Sequence, residues 1–132
     1  MSEMPEDLRL EGSFHTLERE IGGREVAFLL ATRDPAEARS LLPRLHHAIE
    51  SAAQLRRRAV AAVLSGLGDQ PPTAEDLAEA EQDLVLEAVE IEVEGELVLH
   101  LADSCGEHIL DGYWPAVRFD REDGVVQVTV EA

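Results

Sequence analysis

The chain has 132 residues, 28 acidic against 11 basic side chains, and a formal net charge of -17, with 45% hydrophobic and 4% aromatic residues. A chain of this length buries roughly two thirds of its unfolded surface, enough for one ordinary core without disulfides or metal, so disorder is not expected. Its negative surface repels phosphate and anionic lipid, which argues against nucleic acid or membrane as the primary partner and favours a basic protein partner or plain solubility.

All 11 basic residues are Arg, and the chain contains no Lys or Asn, a bias that points to a GC-rich bacterial coding sequence. The single cysteine, Cys105, cannot form an internal disulfide and fits a reducing cytoplasm. Residues 1–10 carry Glu3, Glu6 and Asp7 and have neither the basic nor the apolar region of a signal peptide. The longest apolar runs, such as residues 59–64, fall far short of the roughly 20 residues a membrane span requires.

Residues 1–12 read as a flexible lead-in and 13–132 as one domain. Residues 14–21 and 24–32 flank Gly22-Gly23, a two-residue hairpin turn that places Leu17 opposite Phe28 and Arg19 opposite Val26. Asp34-Pro35-Ala36-Glu37 starts a helix: Asp34 caps, Pro35 occupies the first helical position and Glu37 reaches back. Leu41, Leu42, Leu45, Ile49, Ala52, Ala53, Val60, Val63 and Leu64 recur at helical spacing, with Pro43 producing a kink or dividing a short helix from a longer one. Residues 66–72 break the helix, and Thr73 caps a short second one running to about Asp83.

From Leu86 the period is two. Val89, Ile91 and Val93 alternate with Glu90, Glu92 and Glu94, and Leu97, Leu99 and Leu101 return on the same apolar face. Keeping that face common requires a loop with an odd number of residues, and three, 94–96, are expected. A turn at Ser104-Cys105-Gly106, a short segment at 108–110, a strand through Val117 and Phe119, a turn with Gly124 at positive φ, and a strand with Val126, Val128 and Val130 inward complete the chain. The expected fold is α+β: an antiparallel sheet of about six strands, ordered ββ-αα-ββββ, with one long helix packed on one face.

Charge is unevenly distributed: residues 1–34 sum to -4, 35–66 to +3 and 67–132 to -16. Glu87, Glu90, Glu92 and Glu94 form a candidate surface for a basic partner, and they equally serve as a solvated face that keeps the sheet from pairing edge to edge. Arg56-Arg57-Arg58 cannot present one focused face, because consecutive helical residues diverge by about 100°, and it is expected to pair with the acidic half. Trp114, beside Tyr113 and Pro115, is either an interface anchor or part of a core aromatic pair, with Pro115 confined to an edge or bulge.

His100, Asp103, Cys105, Glu107 and His108 are the densest set of potential metal ligands or thiol-enzyme residues. They match no established ligand spacing, and nothing beside Cys105 activates it, so no catalytic, cofactor or metal residue is assigned. His46 and His47 point to different sides of a helix. Residues 120–124 fail as a calcium loop because Arg121 occupies a ligand position.

The succession of a Gly-Gly hairpin, an Ala-rich helix, a short capped helix, an acidic hairpin, Gly112-Tyr113, Val117, Phe119, Asp123-Gly124 and a terminal Val-rich strand resembles small bacterial families of unknown function, some with an immunity-protein layout. The resemblance spans residues 14–130. Such families carry an aromatic pair and Gly-His before the penultimate strand, where this chain has Leu110-Asp111-Gly112-Tyr113, so the resemblance implies the fold and assigns no role to a histidine. It implies a non-enzymatic protein-binding domain, an immunity-type inhibitor in its most concrete form. A small acidic secretion or assembly chaperone is the alternative, and an enzyme using His100, Cys105 and His108 the third reading.

Overall fold

A computed structural model of the chain describes residues 5–67, 72–104 and 112–131. Seven strands form one sheet in sequence order: β1 (Arg9–Glu11), β2 (Phe14–Ile21), β3 (Arg24–Leu30), β4 (Leu84–Ile91), β5 (Leu97–Asp103), β6 (Trp114–Phe119) and β7 (Val125–Glu131). Between β3 and β4 lie α1 (Pro35–Ser40), α2 (Leu42–Glu50), α3 (Ala52–Leu67) and α4 (Ala74–Asp83). The α+β class stands, with three corrections of detail.

The sheet is mixed, because β3 and β4 run parallel, Phe28 beside Val89 and Leu30 beside Ile91. Parallel neighbours need a long crossover, which the helices supply. The lead-in contributes strand β1, held to β2 by a two-pronged contact of Arg9 on Glu18, Nη1 to Oε2 at 2.8 Å and Nη2 to Oε1 at 2.5 Å. The single long helix is three successive segments. Pro43 lies in the first turn of α2, so the chain breaks just before it, at Leu41, and again at Ser51.

The local signals hold where they depend on neighbours in sequence. Gly22 and Gly23 adopt φ of 61° and 84°, and Leu17 faces Phe28 while Arg19 faces Val26. Asp34 Oδ1 accepts from Ala36 N at 2.9 Å, whereas Glu37 takes the Thr32 hydroxyl at 2.7 Å instead of returning to the cap. Thr73 and Asp76 close a reciprocal capping box on α4. Thr73→Ala is expected to cost about 1 kcal/mol in urea unfolding while Thr73→Ser costs little; equal losses would show that the hydroxyl is not what caps the helix. The helix breaker begins later than expected, since α3 continues through Gly66 to Leu67.

The loop between β4 and β5 has five residues, 92–96, and Ile91 pairs with Leu97. Five is odd, like three, so Val89 and Ile91 still share a face with Leu97 and Leu99. Val93 leaves the strand and is 44% exposed. A bulge at Glu87 shifts the alternation, which lets Leu84 and Leu86 face the core along with Val89 and Ile91. In the last turn the positive φ, 65°, belongs to Asp123 and not to Gly124. In β7 only Val128 packs against the core; Val126 and Val130 are exposed.

The core lies between the helices and one sheet face. Leu42, Leu45, Leu55, Val60 and Val63 meet Leu17, Phe28, Leu30, Ile91, Leu99, Val117 and Phe119, while Ala53 is exposed. Among the described residues, the opposite face carries no helix. One row across it runs Ala27, Ala88, His100, Ala116 and Thr129, and the next Leu29, Glu90, Val98, Arg118 and Gln127.

Candidate functional site

The helix-free face brings together three residues that sequence reasoning placed in separate roles. His100 stands on β5 between Ala88 and Ala116, whose small side chains leave room around the imidazole. Trp114 opens β6, and its indole Nε1 donates to His100 Nδ1 at 3.0 Å, the rings lying 6.4 Å apart at 56°. An indole can only donate, so Nδ1 is the acceptor and Nε2 carries the proton, donated to Glu90 Oε1 at 2.8 Å. The hydrogen bond from His100 holds the Glu90 carboxyl below its ordinary range, against burial, with the charge of Arg118 adding to it.

This chain of contacts fixes the orientation of Trp114, which is half-buried, while Tyr113 is exposed. The expected core aromatic pair is therefore absent. Pro115 lies in an interior strand but beyond the β5–β6 pairing, which ends at Ala116, so its missing N–H leaves no ladder bond unmade on that side. Glu87, Ala88, His100 and Trp114 line a shallow depression of about 250 Å³.

The carboxylates assigned to one acidic strip are divided by the fold. Glu90 is engaged by His100, and Glu92 lies 3.3 Å from Arg118, which also binds Glu96 at 2.9 Å. Glu87 projects from the bulge, 56% exposed, with Arg24 at 3.5 Å. Glu94 sits in the loop after β4 and is exposed. Glu87 is thus the carboxylate of that set that remains exposed beside Trp114.

A second polar cluster, missed in the sequence, ties α2 to two loops. Arg44 donates to the carbonyls of Gly95 at 2.7 Å and Asp120 at 2.9 Å and lies 3.0 Å from Asp123 Oδ1. His47 Nε2 meets Asp123 Oδ2 at 2.5 Å. Burial alone would raise the Asp123 carboxyl; the hydrogen bonds and charges of His47 and Arg44 outweigh it and hold the group below its ordinary range. His46 is exposed on another side of the helix. Arg56 and Arg58 find backbone carbonyls, of Glu81 and Asp123 respectively, where carboxylates were expected.

Cys105, Glu107 and His108 lie outside the described residues, as do the turn at 105–106 and the segment at 108–110. Among the described residues, no three His, Cys, Asp or Glu side chains are grouped to hold a metal ion, and no helix is long and apolar enough to cross a membrane. Comparison with family models, with curated proteins and with solved structures gives no match to this chain.

Proposed function

We propose that this chain is a non-enzymatic protein-binding domain that receives a basic segment of its partner on the helix-free sheet face, seating one cationic side chain against Trp114. The observation that carries this reading is the depression between Trp114 and the exposed Glu87 carboxylate. An aromatic face and a carboxylate together attract Arg or Lys, and Trp is favoured among residues that dominate binding energy. The excess of carboxylates in the second half speeds the encounter with a basic surface and penalises acidic competitors. An immunity-type inhibitor, acting by occluding a basic surface, is the concrete form of this reading.

Trp114 is the only tryptophan, so its emission reports directly on the site. Titration with an arginine-rich peptide is expected to give a saturable change that weakens with salt, with affinity falling about tenfold in Glu87→Gln and unchanged in Glu79→Gln, on the exposed side of α4. An unresponsive Trp114, or equal losses in the two variants, would reduce the attraction to non-specific charge and refute the reading.

A further inference from the structure

The two edges of the sheet are built differently. β1 is three residues long and tied down by the Arg9–Glu18 contact, a short charged edge of the kind that discourages pairing. β7 has seven residues, Val-Val-Gln-Val-Thr-Val-Glu, and Glu131 is its only charged side chain in a chain that is 30% charged. Among the described residues it pairs with β6 alone. Val125, Val126 and Val130 are 42%, 53% and 46% exposed, half of the large apolar side chains that reach solvent among the described residues. α3 runs along this edge without covering it: Arg58 reaches the carbonyl of Asp123, just before β7, and Gly66 lies over Val128.

We infer that β7 pairs antiparallel with β7 of a second copy of this chain, joining two seven-stranded sheets across a two-fold axis near Val128. The occupant is set by the strand's own sequence, which is self-complementary about that residue. Val126 falls opposite Val130 of the second copy, each covering a side chain exposed in the single chain, and Gln127 falls opposite Thr129, a pair that can hydrogen-bond across strands. A two-fold contact needs a patch that complements itself, and this register provides one. Charge agrees with it. The two Glu131 carboxylates land about 20 Å apart, well beyond the roughly 8 Å over which salt lets charges act, so no like charges meet at the seam. What opposes pairing is the diffuse repulsion of two chains at -17 each, and salt screens that repulsion.

Light scattering behind size exclusion, with the intact chain over a range of protein and salt concentrations, tests this. The expected result is twice the 14.5 kDa chain mass, favoured by higher protein and by higher salt, with the double variant Val126→Lys/Val130→Lys eluting as a single chain with wild-type circular dichroism. Val125→Lys serves as a second, milder variant and is expected to weaken dimerisation without abolishing it. A single chain under every condition overturns the inference and leaves the edge to a strand of a different protein; a dimer that survives both variants overturns it by placing the contact elsewhere. Because Trp114 reports cation binding separately, failure here leaves the proposed function standing, and the converse also holds.

Discussion

Asp123→Ala is expected to lower the free energy of unfolding by about 3 kcal/mol near neutral pH, measured by urea unfolding. Three losses combine. Arg44 and Asp123 have only 16% and 18% of their side chains exposed, so removing the carboxylate leaves a largely buried guanidinium without its counter-charge. The contact from His47 goes with it. Alanine must then adopt the φ of 65° that Asp123 adopts, a conformation that Asp and Asn tolerate better than Ala.

The pH dependence separates these parts. The folded carboxyl of Asp123 is held below its unfolded value, so the unfolded state takes up protons first as pH falls. The stabilisation from the charge is complete above the unfolded carboxyl pKa and is lost as pH falls through the lower, folded one. The difference between wild type and Asp123→Ala should therefore shrink in acid, while Asp123→Asn, which keeps the backbone preference, should fall between them at neutral pH. A loss below about 1 kcal/mol at neutral pH, or a difference indifferent to acid, would mean that α2 is not held to the two loops through this carboxylate.

His100→Phe is expected to cost about 2 kcal/mol and to change the emission of Trp114, whose indole loses its acceptor. The substitution keeps an aromatic ring of similar size while leaving the Trp114 N–H and the Glu90 carboxylate without their shared partner. Trp114 emission should differ between the folded wild type and the folded variant, because only the wild-type indole donates to an imidazole acceptor. The Glu90 carboxyl, held below its unfolded value, adds stability that is complete above the unfolded carboxyl pKa and is lost as pH falls through the lower, folded one. Unchanged stability and unchanged Trp114 emission in His100→Phe would show that the indole is not held through this imidazole.

Much of the hairpin geometry was legible because it is local. Gly22-Gly23 sets the β2–β3 register through two backbone angles, Thr73 and Asp76 are three residues apart, and the odd loop between β4 and β5 follows from a period of two. The same reasoning could have joined Glu90 to His100: once Ile91 faces Leu97, Glu90 lies opposite Val98 and diagonal to His100. It could not have added Trp114, because ten residues, 104–113, separate β5 from β6, too many for a two-residue turn to set the register. Nor could it find the Arg44–Asp123 contact, whose partners are 79 positions apart along the chain.

The α+β class, the helix and strand types, the inward set of most strands and the acidic character of the second half were all legible in the amino-acid order. Each of these follows from side-chain period, capping or charge within a short stretch. The tertiary structure decided the rest: the parallel pairing of β3 with β4, the bulge that places Leu86 and Val89 on one face, and the coverage of only one side of the sheet. It also decided which carboxylates are drawn into contacts across the sheet and which stay exposed. Glu90 and Glu92 are opposed by His100 and Arg118 because adjacent strands bring those groups within bonding distance, whereas Glu87 is pushed outward by an extra residue in its strand. Distances between segments far apart in the chain are set by how the core closes, and no local pattern encodes that.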